Sequence, residues 1–157
     1  MKFDNSHVRR QDRLLGEAEA LEILRVGEYG YLSMRDEEGV FGVPVNYVLD
    51  GETIYFHSAS EGRKLRCVEY DPRVSFCVVG SVELISEEFT TQYSSVVVQG
   101  RACVVESESI RRKALRGLID KYSPAFKEQG YKAIEGSLHR TAIVAIKVES
   151  ISAKTKK

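Results

Sequence analysis

Apolar and polar positions alternate with a period of two along much of this chain, and that pattern governs its reading. The stretches "YGYLSM" (29–34), "VFGVPVNYVL" (40–49) and "ETIYFHS" (52–58) are rich in β-branched and aromatic residues. The charged turn "RDEEG" (35–39) separates the first two, and Asp50-Gly51 gives a tight-hairpin signal before the third. Together they predict three consecutive antiparallel strands. Pro44 has no N–H to give to a ladder. Its strand is therefore expected at an edge, at a bulge, or with its backbone turned toward something other than a neighbouring strand. "RVSFCVV" (73–79) reads as a further strand, and the polar insert "GSVELISEEFTTQ" (80–92) separates it from the longest β run, "YSSVVVQGRACVVE" (93–106). There Val96, Val98, Ala102 and Val104 alternate with Val97, Gln99, Arg101 and Cys103, and Gly100 marks a bend or bulge. "TAIVAIKVESI" (141–151) supplies the last strand.

Helical spacing is confined to a few segments. Ala20, Leu21 and Leu24 make residues 17–27 a short amphipathic helix, and residues 61–70 are compatible with another, closed by Asp71-Pro72. Ile110, Ala114, Leu118 and Tyr122 line a third, which Pro124 ends, and a weaker helix leads to Leu138. Mostly consecutive strands with a few interposed helices predict a mainly β fold, an antiparallel barrel with flanking helices, rather than a doubly wound parallel sheet. Residues 1–157 are read as one domain, with 1–15 as a polar N-terminal arm.

Composition removes several function classes. Twenty-three Lys and Arg balance twenty-three Asp and Glu, so no net positive field draws the chain to nucleic acid. No stretch approaches a membrane span or a secretion signal, which predicts a soluble protein with no membrane partner. Cys67, Cys77 and Cys103 are odd in number and lie in periodic segments, as reduced, packed thiols do, so a cytoplasmic location is expected. His7, His57 and His139 are far apart without partners at ligand spacing, so no metal site is expected. Tyr47 and Tyr93 are read as aromatic packing or as rings that stack on a cofactor.

The most informative stretch is "YFHSASEGRK" (55–64), where a strand stops at a histidine, small residues, a glycine and two cations. Backbone N–H groups at a helix start, the close approach allowed by Gly62, and the charges of Arg63 and Lys64 are the parts of a phosphate site. Ser58 adds a hydroxyl, and His57 a ring nitrogen able to donate. The alternative is structural: Ser58 and Glu61 have capping-box spacing, and Arg63 and Lys64 suit a solvated helix face.

"VPVNYVLDGETIYFHSASEGRKLRCVEYDPRVSFCVV" with "SSVVVQGRACVV" resembles the flavin-binding split β-barrel proteins of the pyridoxamine 5′-phosphate oxidase superfamily, and more closely the branch related to nitroimidazole-resistance proteins. The resemblance implies a six-stranded antiparallel split β-barrel that binds flavin mononucleotide (FMN) at the interface of a homodimer and acts on a small-molecule substrate. It assigns the phosphate to His57, Ser58, Arg63 and Lys64, and the isoalloxazine ring to Pro44, Val45 and Asn46. Ser95 matches a residue that reaches the flavin from the second subunit, where the family carries glutamine. His57 matches a histidine beside the cofactor, which makes it the catalytic candidate, with a hydrogen-bonded structural role as the alternative. The ending "KVESISAKTKK" lacks the Arg-, Leu- and Pro-rich substrate segment of the pyridoxal-forming oxidases. The expected activity is therefore that of an FMN-dependent oxidoreductase on a small oxidised substrate, with a non-catalytic flavin or haem binder as the alternative.

Overall fold

The computed structural model describes residues 1–156. In chain order the elements are β1 (Lys2–Phe3), α1 (Glu17–Val26), β2 (Gly30–Asp36), β3 (Gly39–Val45), β4 (Val48–Asp50), β5 (Thr53–Ala59), α2 (Arg63–Tyr70), β6 (Arg73–Ile85), β7 (Thr90–Val104), α3 (Glu108–Tyr122), α4 (Lys127–Ser137) and β8 (Thr141–Lys156). All the strands belong to one sheet, with the path β3-β2-β6-β7-β8-β5-β4 and β1 alongside β8. Every pairing is antiparallel except β1 with β8.

Chain connectivity forces this sheet to curl. β3 and β4 stand at opposite ends of the path, yet only Asn46 and Tyr47 join them. Three Cα steps span at most ~11 Å, whereas seven strands laid flat would hold their outer members ~29 Å apart. The two ends must meet, which makes the sheet a barrel open along one seam. The expected mainly β split barrel is thus present, but with eight strands rather than six. The additional ones are short: β1 comes from the N-terminal arm, and β4 arises because "VFGVPVNYVL" breaks at Asn46-Tyr47 where the chain changes edges.

The alternation sorts side chains as anticipated. Leu32, Ile54, Phe56, Phe76, Val78, Val96, Val98, Ile146 and Ile151 point inward and are fully buried or nearly so. The tight turns follow the sequence too: Asp36 pairs with Gly39, and Asp50 with Thr53, with Gly39 and Gly51 at positive φ (120° and 58°). The ladder shifts register at Gln99/Gly100, where a side chain on Gly100 would stand 2.5 Å from the Lys147 carbonyl oxygen.

Several expectations are corrected. The polar insert 80–92 is mostly strand: β6 and β7 continue past the barrel as a two-stranded ribbon to Ile85 and Thr90, leaving Val82, Leu84 and Phe89 exposed. The N-terminal arm is fastened to β8: Phe3 pairs with Ile151, the Asn5 side chain accepts from Ala153 N at 2.8 Å, and Leu15 N donates to Ala153 O at 3.2 Å. Cys103, expected in the packing, faces solvent on the outer side of β7, while Cys67 is buried and Cys77 half-buried. On α3, Ala114 and Leu118 are buried as predicted.

The seam is held from outside by α3. The Tyr122 hydroxyl accepts from the Tyr47 backbone N at 2.9 Å and lies 2.6 Å from Glu28 O and 3.0 Å from Tyr47 O, while Lys121 Nζ donates to Tyr47 O at 3.0 Å.

Candidate functional site

The register of β4 and β5 locates the site. Val48 pairs with Tyr55 and Asp50 with Thr53, and the same register extended back two and three residues would set Asn46 opposite His57 and Val45 opposite Ser58. No ladder forms there, because the chain has left for β2, where Val45 pairs with Gly30 and Pro44 with Tyr31. Pro44 lies on the terminal strand of the path, an edge position that tolerates its missing donor. The seam between β3 and β5 therefore exposes strand backbone flanked by the expected site residues.

Strand alternation divides these residues between two faces. Pro44, Asn46 and His57 are exposed on the outer face, whereas Ser58 is 7% exposed and points inward with the half-buried Val45. His57 and Ser58 were expected to serve one phosphate together. Their side chains lie on opposite sides of β5, so that joint role is not available to them.

The cations also part company. α2 begins at Arg63 with Gly62 as its N-cap at φ 136°, and a Cβ on Gly62 would meet nothing within 4 Å. Ser58 belongs to β5, so the capping-box reading of Ser58 and Glu61 falls. Arg63 stacks over the Phe41 ring (4.6 Å to the centroid) and grips Asp36 twice, Nε to Oδ2 at 2.9 Å and Nη2 to Oδ1 at 3.1 Å, with Glu38 3.7 Å away. This guanidinium holds the Asp36 carboxyl below its ordinary range. Nη1 of Arg63 makes no protein hydrogen bond among the described residues. Lys64, half-buried beside it, makes neither a hydrogen bond nor an ion pair among them. What the helix start offers an anion is thus Lys64, one edge of Arg63 and the unpaired amides of the first turn. Asp36 and Phe41 were missed as partners of Arg63 because a turn and a strand distant in sequence supply them.

Ser95 stands apart. It lies on β7, separated from β3 by β2 and β6, three strand spacings or ~14 Å measured along the curved sheet of the same chain. Tyr47 is fully buried edge-on to Phe76 (ring centroids 4.8 Å) with its hydroxyl on Leu24 O, so it is packing rather than a cofactor platform. Burial pushes its phenol, and the Cys67 thiol, above their ordinary pKa. No group of three potential metal ligands occurs among the described residues, and no helix there is long and apolar enough to cross a membrane.

Between Pro44 and Ser95 the outer face carries two rows without charged side chains, and Arg35, Asp71 and Arg73 line a hollow beside the second. By register, one row across it reads Pro44, Tyr31, Cys77, Val97, Ser152, and the next Gly42, Ser33, Ser75, Gln99, Ser150.

Comparison with known proteins agrees with this architecture. A sequence model of the family described as pyridoxamine 5′-phosphate oxidase matches residues 16–155. No curated protein sequence matches the chain. Among solved structures, a Bacteroides thetaiotaomicron protein provisionally assigned to 5-nitroimidazole antibiotic resistance superposes with a TM-score of 0.73 at 18% identity, covering 91% of this chain and 86% of that one. A FAD-binding protein of Mesorhizobium loti gives 0.68 at 22% identity over 92% of this chain and 98% of its own. A flavocytochrome of Azotobacter vinelandii gives 0.73 at 22% identity over 90% and 68%.

Proposed function

Because the chain belongs to the pyridoxamine 5′-phosphate oxidase family, we propose that it is a cytoplasmic, homodimeric, FMN-dependent oxidoreductase that reduces a small oxidised substrate. The observation that carries this reading is the seam. Asn46 and His57 are both exposed on the outer side of the seam, and α2, which starts four residues after β5 ends, opens with the uncommitted cation Lys64 behind a glycine that leaves the approach open. A bound flavin supplies the electron transfer. Lys64 and Nη1 of Arg63 hold its phosphate together with the first-turn amides, and Asp36 keeps the guanidinium in one orientation. Pro44 and Asn46 orient the ring along the edge of β3. His57, exposed on the same face, holds or delivers a proton to the reacting substrate.

The partner subunit completes the pocket. Ser95 lies three strands from β3, and the rows between them, which carry no charged side chain, suit a face that packs on its own copy and brings the partner's Ser95 to the flavin. The unpaired cysteines support the cytoplasmic assignment. The related flavocytochrome makes haem the competing ligand. An absorption spectrum of the purified protein decides between them: flavin bands are expected, and a Soret band alone would overturn the reading. Lys64→Ala should then weaken FMN by about 1.5–3 kcal/mol while leaving riboflavin affinity unchanged. Equal losses for the two flavins would remove the phosphate from Lys64.

A further inference from the structure

Away from the seam, one cleft combines uncommitted cations with a hydroxyl that has no protein partner among the described residues. It lies under the loop that joins β1 to α1, which is fastened to β8 on both sides: Asn5 accepts from Ala153 N at 2.8 Å and donates to Leu15 O at 3.2 Å, and Leu14 bridges to Lys154. Inside the loop, Gln11 Nε2 donates to Val8 O at 2.6 Å and to Asn5 O at 3.1 Å, which gives it a defined shape. The loop roofs a space of about 250 Å³ whose polar lining is His7, Arg9, Arg10, Ser95, Ser152 and Lys154, with no carboxylate among them. Arg10 is occupied by Asp12, at 2.8 Å from Nε to Oδ1. His7, Arg9 and Lys154 make no ion pair among the described residues, and Lys154 rests over the Tyr93 ring at 5.4 Å. Ser95 is 8% exposed, lines this cleft and makes no side-chain hydrogen bond among the described residues. No side-chain oxygen among the described residues is both buried and without a partner, so the Ser95 hydroxyl keeps solvent access, and the space it lines is the cationic cleft.

We propose that this cleft binds the phosphate groups of an ADP-type nucleotide, with Arg9 and Lys154 supplying charge and Ser95 a donor. Two ligands carry that chemistry beside a flavin: the adenylate half of FAD, and a nicotinamide dinucleotide that reduces the flavin. The identity of the ligand's remainder rests on the flavin-binding reading, because Ser95 is the residue assigned there to the partner's flavin. The anion site itself stands on the lining alone. All the groups involved are donors, so binding requires no carboxylate to be protonated or displaced.

The test is calorimetric titration of ADP into the full-length, FMN-loaded protein and into Arg9→Ala/Lys154→Met. ADP is expected to bind the wild type and to bind the double variant at least about tenfold more weakly, while FMN affinity is unchanged. Arg116→Ala, a cation on α3 remote from the cleft, should leave ADP binding intact. Failure of the wild type to bind ADP, or equal binding by the double variant, overturns the proposal. Should the wild type take up no FMN, the flavin reading fails alone, and ADP titration of the unloaded protein still reads the cleft. The two sources separate cleanly: FAD displaces bound FMN, whereas a nicotinamide dinucleotide leaves it in place and bleaches its absorbance. Either effect is expected to be lost in the double variant.

Discussion

Tyr122→Phe isolates one hydroxyl that joins α3 to the seam, and the structure fixes what its removal should cost. That oxygen accepts from Tyr47 N at 2.9 Å and has one proton to share between Glu28 O at 2.6 Å and Tyr47 O at 3.0 Å. In the variant, Tyr47 O keeps Lys121 Nζ at 3.0 Å, and Glu28, exposed, exchanges its partner for water. The loss therefore falls on the N–H of the fully buried Tyr47, which has no other acceptor among the described residues. An orphaned buried donor costs about 1–3 kcal/mol, and taking ~2 kcal/mol as the centre lowers the melting temperature of a chain this long by about 4–8 °C. Differential scanning calorimetry of both proteins at the same pH measures it directly. The phenyl ring keeps its packing, so a large-to-small cavity cannot account for the change. Flavin affinity should fall with it, because Tyr47 is the neighbour of Asn46 and its peptide sets the angle at which the chain leaves β3. A melting temperature within about 1 °C of the wild type would refute the assignment of this hydroxyl as the anchor of the seam.

Three further outcomes are expected. His57→Ala should lower turnover of a nitroaromatic test substrate more than it lowers flavin affinity, and a wild-type rate from about pH 6 to about pH 8 would make His57 scaffold. Burial lowers the pKa of Lys121 to about 8 although the Tyr47 ring, 3.8 Å from its Nζ, favours the charge. Because the folded pKa lies below the unfolded value of ~10.4, wild-type stability relative to Lys121→Met should rise with pH between about 8 and 10, by about 1 kcal/mol after allowance for partial exposure. Chemical denaturation at both ends of that range measures it, and a flat or falling difference contradicts the burial argument. Gly100→Ala would set a Cβ 2.5 Å from Lys147 O and 2.9 Å from Ile146 Cγ2, so unfolding stability should drop by about 1–3 kcal/mol, and an unchanged denaturation midpoint would mean the bulge yields freely.

What the sequence makes legible is local. Alternation identifies β2, β3, β5, β7 and the inward face of each, and by the same rule adjacent residues such as His57 and Ser58 cannot present side chains to one ligand from a regular strand. The ribbon 80–92 was misread for a different reason. Val82 pairs with Tyr93 and Ile85 with Thr90, so the segment is strand by backbone pairing, yet it leaves the barrel and needs no buried face, and its polar composition resembles a loop. The Arg63–Asp36 pair joins α2 to the end of β2, a contact that no periodicity encodes. Ser95 is the plainest case, since its distance from β3 depends on the order of strands in the sheet rather than on anything in its neighbourhood.

The seam explains why the fold and the proposed chemistry are tied to the same few residues. A barrel closed by hydrogen bonds throughout would present only side chains to a ligand at this point, whereas here β3 and β5 diverge and leave strand backbone beside Asn46 and His57. That opening is tolerable only if the chain crossing it is held by other means. Tyr47 supplies the inner hold, with its ring against Phe76 and its hydroxyl on Leu24 O, while Lys121 and Tyr122 hold its peptide from outside. Asn46 lies between a strand and this anchored residue, so its orientation is inherited from both. A substitution that loosens Tyr47 should therefore reach the proposed flavin edge through one peptide bond, while the same loss of stability introduced at Gly100, across the barrel, should leave flavin affinity where it was.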